Sequence, residues 1–104
     1  MDEPTRERAA ALFASVAHPV RLRIVELLIE RERTVGEIAL ETGIGQSGAS
    51  QHLAILARAG VLVAEPRGTS RFYRVRGPRV EKILGLIGEF CRVHQLYGAA
   101  EEAE

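Results

Sequence analysis

Residues 46–60, Gln46-Ser-Gly-Ala-Ser-Gln-His-Leu-Ala-Ile-Leu-Ala-Arg-Ala-Gly60, decide how the rest of the chain is read. With a helical period they split into two unlike faces. Ala49, Leu53, Leu56 and Ala57 recur at the spacing of a buried stripe. Ser47, Ser50, Gln51, Ala54 and Arg58 fall on the other side, which is short, polar and free of acid. An ordinary solvated face would carry Glu and Lys there. Small hydrogen-bonding side chains beside one long cation suit a helix lodged in the DNA major groove, where bulk clashes and Ser or Gln can meet base edges and phosphates.

Just upstream, Thr34-Val-Gly-Glu37 has the form of a capping box and predicts a short helix through Ile38, Ala39 and Thr42. Gly43 permits the left-handed backbone that stops it. A short helix, a glycine turn and a second helix are the pattern of a helix-turn-helix. Downstream, Gly60 ends the second helix and Val61–Glu65 reads as a strand. Residues 66–70 read as a turn, with Gly68 free to take positive φ. Residues 71–76 read as the return strand, with Tyr73 and Val75 on one side and Arg74 and Arg76 on the other. This predicts a two-stranded β-hairpin wing with an Arg-bearing tip.

The flanks read as helices. One starts near Pro4, with Ala9, Leu12, Phe13 and Val16 as its stripe. Another opens at His18-Pro19 and carries Val20, Ile24, Leu27 and Leu28, widened by Leu22, Val25 and Ile29; it is the expected centre of the core. A last helix runs from Arg79 to about residue 97. Val80, Ile83, Leu84, Ile87, Cys91 and His94 keep one stripe, and Leu86, Phe90 and Val93 widen it. That is more apolar surface than one small core uses, so part of it is expected to meet a partner chain. Residues 98–104 form an acidic tail.

The chain has 104 residues, enough for one domain over 1–104 and too few for two. Hydrophobic residues make up 46% and charged residues 27%, the balance of a globular protein. No apolar run approaches the roughly 20 residues needed to span a bilayer, so no membrane partner is expected. The first residues lack the apolar stretch of a signal peptide. One cysteine, Cys91, excludes an intrachain disulfide framework and fits a reducing, cytoplasmic setting. The formal net charge is zero, but it is unevenly spread. From Gln46 to Arg79 six Arg (58, 67, 71, 74, 76 and 79) face one acid, Glu65, a net +5. The remainder holds eight basic and thirteen acidic residues, a net −5. A basic half is the expected footprint of a phosphate-binding surface.

Three stretches, in order, resemble the ArsR/SmtB family of winged helix-turn-helix repressors. Residues Ala17–Ile24 (AHPVRLRI) are similar to the family's D-P-T-R-L-R-I at its second helix. Residues Gly43–Leu53 (GIGQSGASQHL) are similar to its G-L-S-Q-S-T-V-S-x-H-L recognition segment. Gly60 to Val63, Arg67-Gly68 and Phe72 to Val75 are similar to its wing. The resemblance covers roughly residues 10–90. It implies a mainly α, α+β fold of about five helices with a wing, and a homodimer joined through the first and last helices, here 1–16 and 79–97. It further implies a double-stranded operator of two-fold symmetry, released when an inducer binds. The family's C-V-C metal site would fall on Thr34-Val35-Gly36, which has no sulfur, and its last-helix site on Gly77-Pro78-Arg79, which offers no ligand. No cofactor is expected, and the inducer stays open.

The DNA-contact candidates are therefore Gln46, Ser47, Ser50, Gln51, His52, Arg67 and Arg71, with Arg58, Arg74, Arg76 and Arg79 as weaker ones. His52, beside the buried stripe, either orients the helix or touches phosphate. Cys91 and His94 lie three apart on one face, and two copies across a dimer axis could form a Cys₂His₂ zinc site; the plainer reading is that both sit in an apolar stripe. A lone redox-sensing thiol is a further alternative. His18 is expected to cap its helix. An enzyme is not expected: His18, His52 and His94 lie in separate helices, and Ser50 and His52, two apart, point in different directions. A DNA-free dimerisation module of the same fold is the remaining alternative, and the basic strip argues against it.

Overall fold

The computed structural model describes residues 1–94. Its elements run α1 (Glu3–Val16), α2 (Pro19–Glu30), β1 (Arg33–Thr34), α3 (Val35–Thr42), α4 (Gln46–Arg58), β2 (Leu62–Arg67), β3 (Ser70–Val75) and α5 (Pro78–His94). The expected end of the last helix at residue 97 and the acidic tail at 98–104 lie outside the described residues.

Local chemistry places the helix ends. The Asp2 carboxylate accepts the Thr5 N–H at 2.9 Å to open α1. His18 caps α2, its Nδ1 accepting the Val20 N–H at 3.1 Å, with Pro19 in the first turn. The capping box of α3 is complete: Thr34 Oγ1 accepts the Glu37 N–H at 3.2 Å, and Glu37 Oε1 accepts the Thr34 N–H at 2.9 Å. Gly43, at φ 76°, closes α3 and frees the chain to turn into α4.

The core forms around α2, whose Ile24, Val25, Leu27 and Leu28 are buried. Ile38 of α3, the Ala49–Leu53–Leu56 stripe of α4, then Val61, Leu62 and Tyr73 complete it. This packing fixes how α4 is rotated: with its apolar edge inside, its Ser and Gln side chains must face out. The two end helices are different. α5 buries no residue fully, and α1 buries only Ser15 among those described. Phe13, Ile83, Leu86, Phe90 and Val93 remain exposed, Leu86 at 66%.

Two features of the sheet differ from the hairpin that was expected. First, it has three strands, in the order β1-β3-β2, all antiparallel. Arg33 and Thr34 pair with Tyr73 and Phe72. A strand of two residues has no alternation to detect, and this one merges with a helix cap. Second, β2 runs on through Pro66 and Arg67 and β3 begins at Ser70, so the turn is Gly68-Thr69 alone, with Gly68 at φ 62°. Pro66 is tolerated because β2 is an edge strand and its missing N–H costs no ladder bond.

Among the described residues Arg33 is the one cation in the core, 4% exposed. Its Nε donates to Glu41 at 2.6 Å and its Nη2 to Glu30 at 3.3 Å. Its Nη1 donates to the carbonyls of Leu27 and Arg31. Burial works against its charge most strongly, but Glu41 and Glu30 outweigh that and hold its pKa above the ordinary guanidinium value. The guanidinium thus joins the end of α2, β1 and α3. Glu41→Ala should lower unfolding free energy by about 2–3 kcal/mol, because it leaves a buried charge short of its nearest partner. Chemical denaturation checks this, and a change below about 0.5 kcal/mol would show that Glu30 and the carbonyls suffice.

Candidate nucleic-acid interface

Gln46, Ser47, Ser50 and Gln51 are all exposed, together with Ala54 and Arg58 on the same side of α4. Gly45, the residue before the helix, offers no side-chain cap, so the first-turn N–H groups are left to solvent or to an incoming anion. Along its outer side α4 therefore presents amides, hydroxyls and free backbone donors, ending in a guanidinium.

His52 turns the other way. Its ring is half-buried, its Nδ1 lies 3.2 Å from Arg21 Nη1, and its centroid lies 4.8 Å from that of His18. Arg21 in turn donates from Nε to the Ser15 carbonyl at 2.6 Å. Burial, then His18 and Arg21, hold the His52 pKa below the ordinary imidazole value.

The wing arginines separate into distinct groups. Arg67 is tied down: it donates to Glu32 through two nitrogens, at 2.7 and 2.9 Å, and to Glu65 at 3.1 Å, and it lies over the Phe72 ring at 4.6 Å. These partners raise its pKa further, and the Arg67 hydrogen bond draws that of Glu32 below the usual carboxylate range. Arg67, one of the DNA-contact candidates, here braces the wing against the segment between α2 and β1. Arg76 donates from Nε to the Gly60 carbonyl at 2.7 Å, at the base of the wing. Arg79 lines the groove between α1 and α5. Arg71 and Arg74 are exposed, and strand alternation puts them on opposite faces of β3.

The partners Arg21, His18 and Glu32 were missed as parts of this region. Each touches its partner only through tertiary folding, 31 to 35 residues apart for the Arg21–His52 and Arg67–Glu32 pairs, and no local period marks them.

Cys91 and His94 are both exposed on α5, and the His94 ring lies 4.3 Å from that of Phe90. Among the described residues no group of three His, Cys, Asp or Glu side chains stands close enough to hold a metal ion. Nor is any described helix long and apolar enough to cross a membrane.

A buried-edge helix behind a glycine turn, offering a polar face beside a hairpin, defines a winged helix-turn-helix domain of the kind used by DNA-binding transcriptional regulators. Residues 18–63, from the α2 cap to the start of β2, match the profile of the bacterial regulatory protein arsR family. The chain belongs to that family: it is 40% identical over 85 residues to the HTH-type transcriptional regulator Rv0081 of Mycobacterium tuberculosis, covering 81% of this chain and 75% of that protein. The crystal structure of Rv0081 superposes with a TM-score of 0.78 at 38% identity, over 90% of this chain and 96% of that one. The homodimeric winged helix-turn-helix DNA-binding domain of Mb0332 from Mycobacterium bovis superposes with a TM-score of 0.82 at 31% identity, over 88% and 84%. The biofilm growth-associated repressor of Xylella fastidiosa is 33% identical over 90 residues, 86% of this chain and 79% of that protein.

Proposed function

We propose that the chain is a homodimeric repressor that reads a two-fold symmetric operator with α4 and leaves it when an inducer binds. The observation that carries this reading is the outward Gln46–Ser47–Ser50–Gln51 face of α4, held out by the burial of Ala49, Leu53 and Leu56. In this reading Gln51 pairs with adenine, and the two Ser meet base edges or phosphate. Arg71 and the free N–H groups at the start of α4 neutralise phosphates, while Arg67 sets the wing and His52 sets the helix. The second copy covers the apolar groove between α1 and α5, lined by Leu12, Phe13, Val16, Val80 and Ile83. A homodimeric relative of the same fold and a relative that is a repressor support the assembly and the direction of control. A regulator of this kind would act on DNA in the cytoplasm.

The test is selection of duplexes from a random pool by the purified protein at pH 7.5. A palindromic consensus, bound by a dimer and weakened by salt, is the expected result; failure to enrich any sequence would instead favour a dimerisation module that does not read DNA. Arg71→Ala should weaken binding to all duplexes alike and flatten the plot of log affinity against log salt by about one unit. Arg67→Ala removes a charge already met by Glu32 and Glu65 and should leave that slope near the wild-type value. Salt titrations of both variants check the pair, and a flatter slope for Arg67→Ala would show that the brace opens on DNA.

A further inference from the structure

Between α1, α2 and α4 lies a cluster of three basic side chains with no role in the exposed reading face. An Arg guanidinium has donors only, so where Arg21 Nη1 faces His52 Nδ1 at 3.2 Å the ring nitrogen must accept. The His52 proton then resides on Nε2. His18 is bound in the same sense, because its Nδ1 accepts the Val20 N–H. The His52 ring is thus fixed in its neutral form by the partner it has. A proton added to the His52 Nδ1 turns an acceptor into a donor facing a donor.

Among the described residues no carboxylate compensates such a charge. Arg21 of α2 and the capping His18 both act on His52 against its protonation. α1 brings the Ser15 carbonyl, which Arg21 already uses. α4 has no carboxylate over Gln46–Arg58, and α3 and β2, also packed on α4, supply no charge that acts on the ring.

We infer that Arg21 and His52 are positioning residues for DNA reading: through them α2 and the end of α1 hold α4 at its working angle, and protonation of the His52 ring releases that hold and weakens DNA binding in acid. This rests on α4 being the reading helix. His52 directly follows Ser50 and Gln51, so a shift of its ring moves the residues that meet the bases. The sign follows from linkage. A histidine whose folded pKa lies below its unfolded value, here an ordinary 6.5, contributes its full stability above that value. The contribution is lost as pH falls through the folded pKa, so the sensitive window opens below about pH 6.5. General electrostatics predicts the reverse for affinity, since acid adds positive charge and tightens phosphate binding. The direction of the pH effect therefore separates the two.

The experiment uses the full chain and a duplex that the wild type selects at pH 7.5. Its dissociation constant is measured at pH 7.5 and 5.5 at fixed salt, with far-UV circular dichroism and sedimentation at both. The expected result is a folded wild-type dimer that binds at least about 10-fold more weakly at pH 5.5. In His52→Asn, whose amide oxygen can accept from Arg21 at any pH, the ratio of the two constants should fall to about one or invert. NMR titration of the wild type should place the His52 midpoint below that of an ordinary imidazole, and Arg21→Gln should raise it. Wild-type binding that is unchanged or tighter at pH 5.5 overturns the inference whatever the variants do. So does a His52→Asn protein that keeps the acid loss. Absence of any selected duplex at pH 7.5 removes the DNA reading itself, and with it this inference; binding at pH 7.5 that persists in acid removes this inference alone.

Discussion

The Ser50→Ala, Gln51→Ala double variant is expected to lose about 10- to 100-fold of its preference for the selected duplex over random DNA, while its fold and its dimer stay intact. Both residues are exposed, and neither belongs to the core, so truncating them leaves no cavity and no orphaned polar group. Ala is also the strongest helix former, so α4 itself should be no less stable. What disappears is the chance of a bidentate bond from Gln51 to one base and a further contact from Ser50, on the order of 1–3 kcal/mol for a good bidentate pair. Binding to unrelated DNA should change little, because Arg71 and the helix start still meet the backbone. Competition binding against random duplex gives the ratio directly. If the double variant discriminates as well as the wild type, the reading helix has been placed wrongly.

Ile83→Glu is expected to turn the dimer into a monomer and to weaken operator binding by about 100-fold or more. Ile83 lines the α1–α5 groove with Phe13, yet it stands outside the core and is 44% exposed. A carboxylate there is solvated in the monomer, so the domain should fold and keep its helical content. In a dimer the two-fold axis would bring the substitution in twice, burying both charges without partners. Loss of the second subunit removes the linked half-site, and linkage of two sites is commonly worth a factor of about 10² to 10⁴. Sedimentation and titration with a full and a half operator check both parts. A variant that remains dimeric would move the subunit contact away from this groove.

Much of this architecture was legible because its signals are local. The Thr34–Glu37 capping box, Gly43, Gly60 and Gly68 mark their own turns, and the α2 and α4 stripes repeat within a few residues. The outward face of α4 was legible for the same reason: once Ala49, Leu53 and Leu56 are assigned inside, the rest of the helix has no freedom to rotate. The misses share the opposite property. β1 has two residues and exists only because β3 passes beside it. Arg33 looks like any surface arginine until Glu41 and Glu30 close on it. Arg67 resembles a loop cation free to find phosphate, and only the folded chain brings Glu32 to it from 35 positions away. The wing turn is narrower than residues 66–70 because Pro66 sits on an edge strand, where its missing N–H is accepted.

The short third strand has a mechanical result. Thr34 is at once the last residue of β1, paired to Phe72, and the cap of α3. Its neighbour Arg33 is anchored to both α2 and α3, and Glu32 grips Arg67 near the tip of the hairpin. The wing, α2 and α3 are therefore bolted to one chassis. A displacement at the hairpin tip is carried straight to α2 and α3, so a change that moves the wing also moves the first helix of the helix-turn-helix.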